Sequence, residues 1–169
     1  MPEILSERFL LRTLVSEDAT EKYLSWLNEE NVLKHIITAK QTNCIKDLKR
    51  YIESRTEKGD VVFLGIFDRE SGKHIGNIKY EPIDIAKKYA IVGILIGETD
   101  YRSKGVTPEV LKASAAWIKA NKGITQIILG VAKDNEAAIR SYKKTGFRVA
   151  ETPYITYDDD TNIKMIWDL

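Results

Sequence analysis

The stretch Tyr101-Arg-Ser-Lys-Gly-Val-Thr-Pro-Glu109 contains the residue types from which an anion site is made. A glycine turn that opens a helix leaves backbone N–H groups pointing outward, and the positive end of the helix dipole adds to them. Arg102 and Lys104 bring two formal positive charges to the same turn. The ligand implied is a phosphate or pyrophosphate. An ordinary strand-to-helix turn with solvated basic side chains would have the same composition, and on these features the two readings stand level. Further along, Tyr142 offers a phenol. Its free pKa of about 10 means that it keeps its proton at neutral pH and could serve as a proton donor. Spacing alone favours a plainer role for Tyr142, a core aromatic with its hydroxyl at the rim. Asn135 is placed to cap the helix that carries it.

Other chemistries lack their residues. His35 and His74 have no further ligand at a supporting spacing, and Asp158-Asp159-Asp160 lacks the alternating ligands and central glycine of a calcium loop. The expectation is therefore no metal. There is no Gly-x-Ser-x-Gly elbow, no Walker A loop and no Gly-x-Gly-x-x-Gly fingerprint. Cys44 has no motif around it and reads as an inert or partly buried thiol rather than a nucleophile.

The elements that would hold these residues follow from patterning. Arg8 to Leu14 reads as a first strand, and Ser16 as the cap of a helix running to about Asn28. A short helical turn is expected over Glu30 to His35. Asn43 is placed to cap a longer helix whose apolar face is Ile45, Leu48, Tyr51 and Ile52, with Gly59 as its stop. Val61 to Phe67 and His74 to Ile83 form a hairpin around Glu70 to Lys73. Tyr89 to Ile96 is almost wholly apolar, as in a strand covered on both faces. Pro108 suits the first turn of a helix that reaches about Asn121 and is closed by Gly123. Gln126 to Val131 is a strand, and Asn135 opens a helix ended by Gly146. Phe147 to Tyr157 and Asn162 to Leu169 are strands around an acidic turn. The result is α/β, a mixed sheet with helices on its faces.

Bulk properties narrow the class. The chain has 169 residues, with 26 Lys plus Arg against 25 Asp plus Glu, so a dedicated nucleic-acid binder is not expected. The longest apolar run, Ala90 to Gly97, is far shorter than a membrane span, so no membrane partner is expected. The N-terminus lacks a signal-peptide core, and one cysteine cannot form an internal disulfide. A cytoplasmic location is the expectation. No repeat, linker or composition break divides residues 1–169, so one domain is expected.

Arg102-Ser-Lys-Gly105-Val-Thr107 resembles the pyrophosphate loop of the GNAT superfamily of acyl-CoA-dependent N-acetyltransferases, Arg/Gln-x-x-Gly-x-Gly/Ala. Asn135-Glu-Ala-Ala-Ile-Arg-Ser-Tyr142-Lys-Lys-Thr-Gly146-Phe147 is similar to that superfamily's Asn-x-x-Ala-x-x-x-Tyr-x-x-x-Gly-Phe segment. The opening, Arg8-Phe-Leu-Leu-Arg12 through Trp26-Leu-Asn28, resembles the branch with ribosomal-protein N-terminal and amino-sugar acetyltransferases. The resemblance implies a GNAT-like twisted mixed sheet of about seven strands flanked by about four helices. It implies acetyl-CoA as co-substrate and a primary amine as acceptor: a protein N-terminus, an amino sugar or another small amine. It assigns cofactor contacts to Ile94, Leu95, Ile96, Arg102, Ser103, Lys104, Gly105, Val106, Thr107, Asn135, Ala138 and Tyr142. Backbone amides of Leu95 or Ile96 would hold the thioester carbonyl, and Tyr142 would be the general acid. The general base is not visible: Glu81, Asp84, Glu98, His35 and a water chain are the candidates. Thr107 departs from the family's Gly or Ala, and Pro108 removes a donor. With the unseen base, this motivates a second reading, a CoA-binding sensor or interaction module without turnover. The acceptor pocket is expected from the first two helices and the closing hairpin near Tyr154 to Asp160. Aromatic residues on the last strands could support a homodimer.

Overall fold

The computed structural model describes residues 2–30, 32, 42, 44–157 and 160–169. An eight-stranded sheet runs in the order β1-β2-β3-β4-β5-β6-β8-β7. Its strands are β1 (Glu3–Leu5), β2 (Phe9–Thr13), β3 (Val62–Asp68), β4 (His74–Asp84), β5 (Tyr89–Ile96), β6 (Gln126–Ala132), β7 (Arg148–Val149) and β8 (Asn162–Asp168). All neighbours pair antiparallel except β5 and β6, which are parallel. Among the described residues the longer helices are α1 (Glu21–Leu27), α2 (Ile45–Thr56), α3 (Val106–Lys122) and α4 (Glu136–Thr145).

The fold is the mixed α/β sheet expected, with one strand more. The additional strand is β1, which pairs with β2 through Glu3↔Arg12, Ile4↔Leu11 and Leu5↔Leu10. The strand expected from Phe147 to Tyr157 shrinks to the two residues of β7. Pro153 has no N–H to give a ladder, and the chain leaves the sheet after Ala150, whose amide still donates to Lys164.

Helix starts differ for local reasons. Ser16 begins a single 3-10 turn (Ser16–Asp18), because Asp18 turns back to Arg12 and to the Val15 amide. Thr20 instead caps α1, its hydroxyl accepting from the Tyr23 amide. Asn43 lies outside the described residues, as does most of the short turn expected over Glu30 to His35, and Cys44 stands at the cap position of α2. That helix ends at Thr56 with Glu57 as its cap, ahead of Gly59. The helix expected at Pro108 opens two residues earlier, at Val106.

Two layers cover the sheet. On one face α3 packs Val106, Val110, Leu111, Ala115 and Ile118, and α4 packs Ala138, Ile139 and Tyr142, against a core that includes Ile78, Tyr80, Val92, Ile127 and Leu129. On the other, α1 and α2 bring Tyr23, Trp26, Leu27, Leu48 and Ile52 onto Leu14, Phe63 and Leu95. Each such side chain, fully buried, contributes roughly 1.5–3 kcal/mol. A third, smaller cluster joins Tyr89, Ile128 and Ile166 to Tyr154 and Ile155.

Candidate active site

The one parallel junction is short. Tyr89, Ala90 and Ile91 pair with Gln126, Ile127 and Ile128, and the pairing then stops, although β5 continues to Ile96 and β6 to Ala132. The two strands therefore enclose a wedge. On its other side β5 is paired with β4 as far as Gly76↔Ile96, and the Gly97 amide donates to the Ile75 carbonyl at 2.9 Å. An antiparallel ladder alternates bonded and non-bonded pairs. The bonded pairs are then Leu95/Asn77 and Gly93/Lys79, while the Val92 carbonyl, both backbone groups of Ile94 and the Ile96 amide face the wedge, the Val92 amide being used in the last pairing with β6 and the Ile96 carbonyl by Arg102. Of the residues expected to hold a thioester carbonyl, Ile96 presents its amide to the wedge, whereas the Leu95 amide turns toward β4. A strand edge of this kind binds an extended chain that carries amides.

The loop at the mouth of the wedge has the form of an anion cradle. After a 3-10 turn (Thr99–Tyr101), Ser103 (φ 60°) and Gly105 (φ 74°) both adopt the left-handed conformation. Left-handed residues curl the chain so that successive N–H groups converge. Among the described residues, no acceptor meets the amides of Ser103, Lys104, Gly105, Val106 or Thr107. They stand at the start of the 17-residue helix α3, where the dipole is positive. Gly105, and not Thr107, is the capping residue. Thr107 is the second helical residue with ordinary backbone angles, so its β-branch meets no strain, and Pro108 behind it has no N–H to offer.

Arg102 is committed elsewhere. Its Nε donates to the Ile96 carbonyl (2.9 Å), and its Nη2 to the Gly97 carbonyl (2.9 Å) and to both Glu29 carboxylate oxygens (3.0 and 2.9 Å). Its charge is thus met by Glu29, and it fastens the cradle to the end of β5. Lys104 remains exposed beside the open amides. Arg8 supports the loop from below, donating to the Lys104 carbonyl (3.1 Å) and to Glu109 (2.7 Å). Burial would raise the Glu109 pKa, but hydrogen bonds from Ser6 and Arg8 outweigh it and hold the carboxyl below its usual range.

Tyr142 reaches the sheet from α4, on the face covered by α3. It packs with Ile94, Ile96, Ala138 and Ile139 against the larger core, its ring 5.7 Å from that of Phe147. Burial pushes the phenol up to about 12. Its hydroxyl has no hydrogen-bond partner among the described residues. Asn135 caps α4, its Oδ1 accepting from the Ala138 amide at 3.2 Å. Ile94, Ile96, Val106, Ala138 and Tyr142 thus share one cluster, while the Leu95 side chain lies in the core under α1 and α2.

The carboxylates considered as bases have partners. Glu98 accepts from Trp26 Nε1 (3.1 Å) and meets Lys22 (3.1 Å) and Lys73. Burial would raise its pKa, but these contacts hold it low. Glu81 is shared by Lys79 (2.7 Å), Arg55 (3.4 Å) and Lys58 (4.0 Å). Asp84 pairs with Tyr89 at the closed end of the junction, away from the wedge. His35 lies outside the described residues. Among the described residues, no three His, Cys, Asp or Glu side chains converge to hold a metal ion, and no helix is long and apolar enough to cross a membrane.

The opposite face of the wedge holds residues that patterning did not single out. Gly93 and Gly130 stand two residues beyond the last paired residues Ile91 and Ile128, so they face each other across the wedge on the same face. Nothing lies within 4 Å of where a Gly93 side chain would begin. At Gly130 a Cβ would fall 1.3 Å from Tyr157 Oη, so only glycine lets that hydroxyl rest on β6. The matching offset of the two glycines in consecutive parallel strands was the available signal. Tyr154, in contrast, is spent on the core, stacking on Tyr89 at 3.9 Å.

Comparisons agree with this geometry. A family model described as acetyltransferase (GNAT) domain matches residues 8–148. An uncharacterized N-acetyltransferase, YobR of Bacillus subtilis, is 28% identical over 85 residues, which span 50% of this chain and about a third (32%) of YobR. A RimL ribosomal L7/L12 alpha-N-protein acetyltransferase in complex with coenzyme A superposes with a TM-score of 0.84 at 14% identity, over 99% of this chain and 98% of that one. Spermidine N-acetyltransferase from Vibrio cholerae, in complex with CoA and spermine, gives 0.78 at 16% identity over 94% of each chain.

Proposed function

Since the chain belongs to the acetyltransferase (GNAT) domain family, whose model spans residues 8–148, we propose that it transfers the acetyl group of acetyl-CoA to a primary amine. The observation that carries this reading is the wedge with its cradle: parallel pairing that ends after Ile91↔Ile128, and open amides from Ser103 to Thr107 at its mouth. Acetyl-CoA supplies a thioester, a diphosphate and an extended arm with two amides, and the residues present fit each part. The open amides and Lys104 would hold the diphosphate. The wedge-facing groups of Ile94 and Ile96 would pair with the arm, and an amide of that edge would polarise the thioester carbonyl.

The amine lone pair attacks the carbonyl carbon, the C–S bond breaks, and the sulfur leaves with the bonding pair. Tyr142 gives its proton to that sulfur and recovers one from solvent. The proton lost by the amine passes to water, because the described carboxylates near the site are tied into ion pairs. Apolar walls from Val92, Ile94, Leu129 and Val131 keep bulk water from competing. A reducing cytoplasm suits both acetyl-CoA and a chain with one cysteine.

The acceptors in the related structures differ widely, from spermine to a ribosomal protein, so the acceptor of this chain must be read from its own residues. The test is release of free CoA from acetyl-CoA over a panel of amines, with acetyl-CoA binding measured by calorimetry. Amine-stimulated release is expected. Binding without release by any amine would favour the sensor reading instead, and no binding would remove both.

A further inference from the structure

The geometry points to an acceptor amine that carries an anionic group, a carboxylate or phosphate, a few bonds from its nitrogen. This rests on the acetyl-transfer reading and specifies its substrate class. The face of the wedge filled by α3, α4 and Tyr142 is closed by core side chains. The acceptor therefore enters from the opposite face, over Gly93 and Gly130, where neither strand projects a side chain.

Two lysines flank these glycines in one row across the sheet. Lys79 of β4 is directly opposite Gly93, and Lys164 of β8 is directly opposite Gly130. Residues opposite each other in a ladder share a face. Both lysines are largely covered, with side chains 24% and 17% exposed, so their ammonium groups are held rather than waving in water. Lys79 Nζ donates to the Tyr51 hydroxyl (2.6 Å), and Lys164 Nζ donates to the Thr152 carbonyl (3.2 Å).

The local charge does not cancel. Among the described residues of this cluster, Lys79, Arg55 and Lys58 share the single carboxylate Glu81. Lys164 pairs with Glu151, whose side chain is 92% exposed, so that pair is weak and screened by solvent. The polar groups beside the cations are donors too. Tyr157 brings over Gly130 a hydroxyl with no partner among the described residues. Asn77, two residues before Lys79 on the same face and only 8% exposed, has a buried Nδ2 with no acceptor. A buried donor left unpaired is destabilising, a cost that an acceptor-rich ligand would recover. Two cations and surplus donors around an opening match a carboxylate or phosphate. A polyamine would bring more positive charge beside Lys79 and Lys164.

The test uses pairs of amines that differ in the anionic group: lysine against cadaverine, and glucosamine 6-phosphate against glucosamine, with spermidine as a polycation. CoA release is followed for the wild type, Lys79→Met and Lys164→Met, and acetyl-CoA affinity is measured by calorimetry to report an intact fold. The anionic member of at least one pair is expected to lead its partner about tenfold in kcat/KM, a difference of ~1.4 kcal/mol. Each lysine substitution should erase that lead through KM while acetyl-CoA affinity holds. A preference for cadaverine or spermidine, or a lead that survives both substitutions, overturns the inference and leaves acetyl transfer standing. Intact acetyl-CoA binding with no release by any amine overturns the catalytic reading, and this inference with it.

Discussion

Tyr142 pairs a hydroxyl unbonded among the described residues with a pKa raised by burial to about 12. A general acid must hold its proton until the leaving group needs it, and this environment ensures that throughout the neutral range. Tyr142→Phe removes the proton and little volume. It is expected to lower kcat about 10²–10⁴-fold while acetyl-CoA affinity, measured by calorimetry, changes little. An unaltered kcat would reject the assignment. The wild-type kcat should also show no alkaline decline from this phenol below about pH 10, because the acid form persists until pH approaches its raised pKa. Arg102 gives the contrasting case. As a residue type it promises charge for a phosphate, yet its Nε and Nη2 are engaged by Glu29 and two backbone carbonyls. The proposed phosphate cradle is made instead from backbone amides, which every residue carries and no composition reveals.

That engagement links elements. Glu29 follows α1, on the acceptor side of the sheet, and Arg102 opens the loop into α3. Their bidentate pair, with the Glu98 contacts to Trp26 and Lys22 of α1, ties α1 to the end of β5 and to the cradle. Breaking the tie should loosen the cradle without removing any cofactor contact. Glu29→Ala is expected to weaken acetyl-CoA binding roughly three- to tenfold, in line with ~1 kcal/mol for a partly exposed pair of good geometry. Calorimetry checks this, and an unchanged affinity would show that the cradle holds its shape alone. The fold would survive, since β5 remains bonded along β4 from Val92 to Ile96.

Stability of the whole molecule should depend on pH through His74. Its ring stacks on Phe67 at 4.6 Å and meets Tyr23 and Trp26 edgewise, and Nε2 hydrogen-bonds the Gly76 carbonyl at 2.9 Å. Burial lowers its pKa from 6.5 to about 4. The unfolded chain then binds a proton that the native state does not, so stability is full above about pH 6.5 and falls as pH drops toward 4. The slope is up to ~1.4 kcal/mol per pH unit. Asp18, Glu98 and Glu109, all held low, add a loss in the same direction as pH falls below the ordinary carboxylate range. Denaturant unfolding at stepped pH should show this decline. His74→Phe should flatten the part between pH 6.5 and 4 and leave the carboxylate part. A decline of equal slope in the variant would reject the His74 account.

The linear chain by itself determined what depends on neighbours in sequence. Apolar alternation and runs set β2 to β6 and β8, capping chemistry set Asn135 as the start of α4, and the glycine turn before a helix marked the cradle. Local competition altered several boundaries, as when Asp18 turned back to Arg12 and moved the start of α1 to Glu21. Tertiary structure alone decided the wedge, because the point at which two strands part is a property of their pairing and of neither strand. It also decided that Arg102 is neutralised, that the Ile94 and Ile96 amides are the ones facing the wedge, and that Gly93, Gly130, Lys79 and Lys164 form one row. These four residues are separated by 14, 37 and 34 positions in the chain. Only register across the sheet brings them together, and register is fixed by packing on both faces.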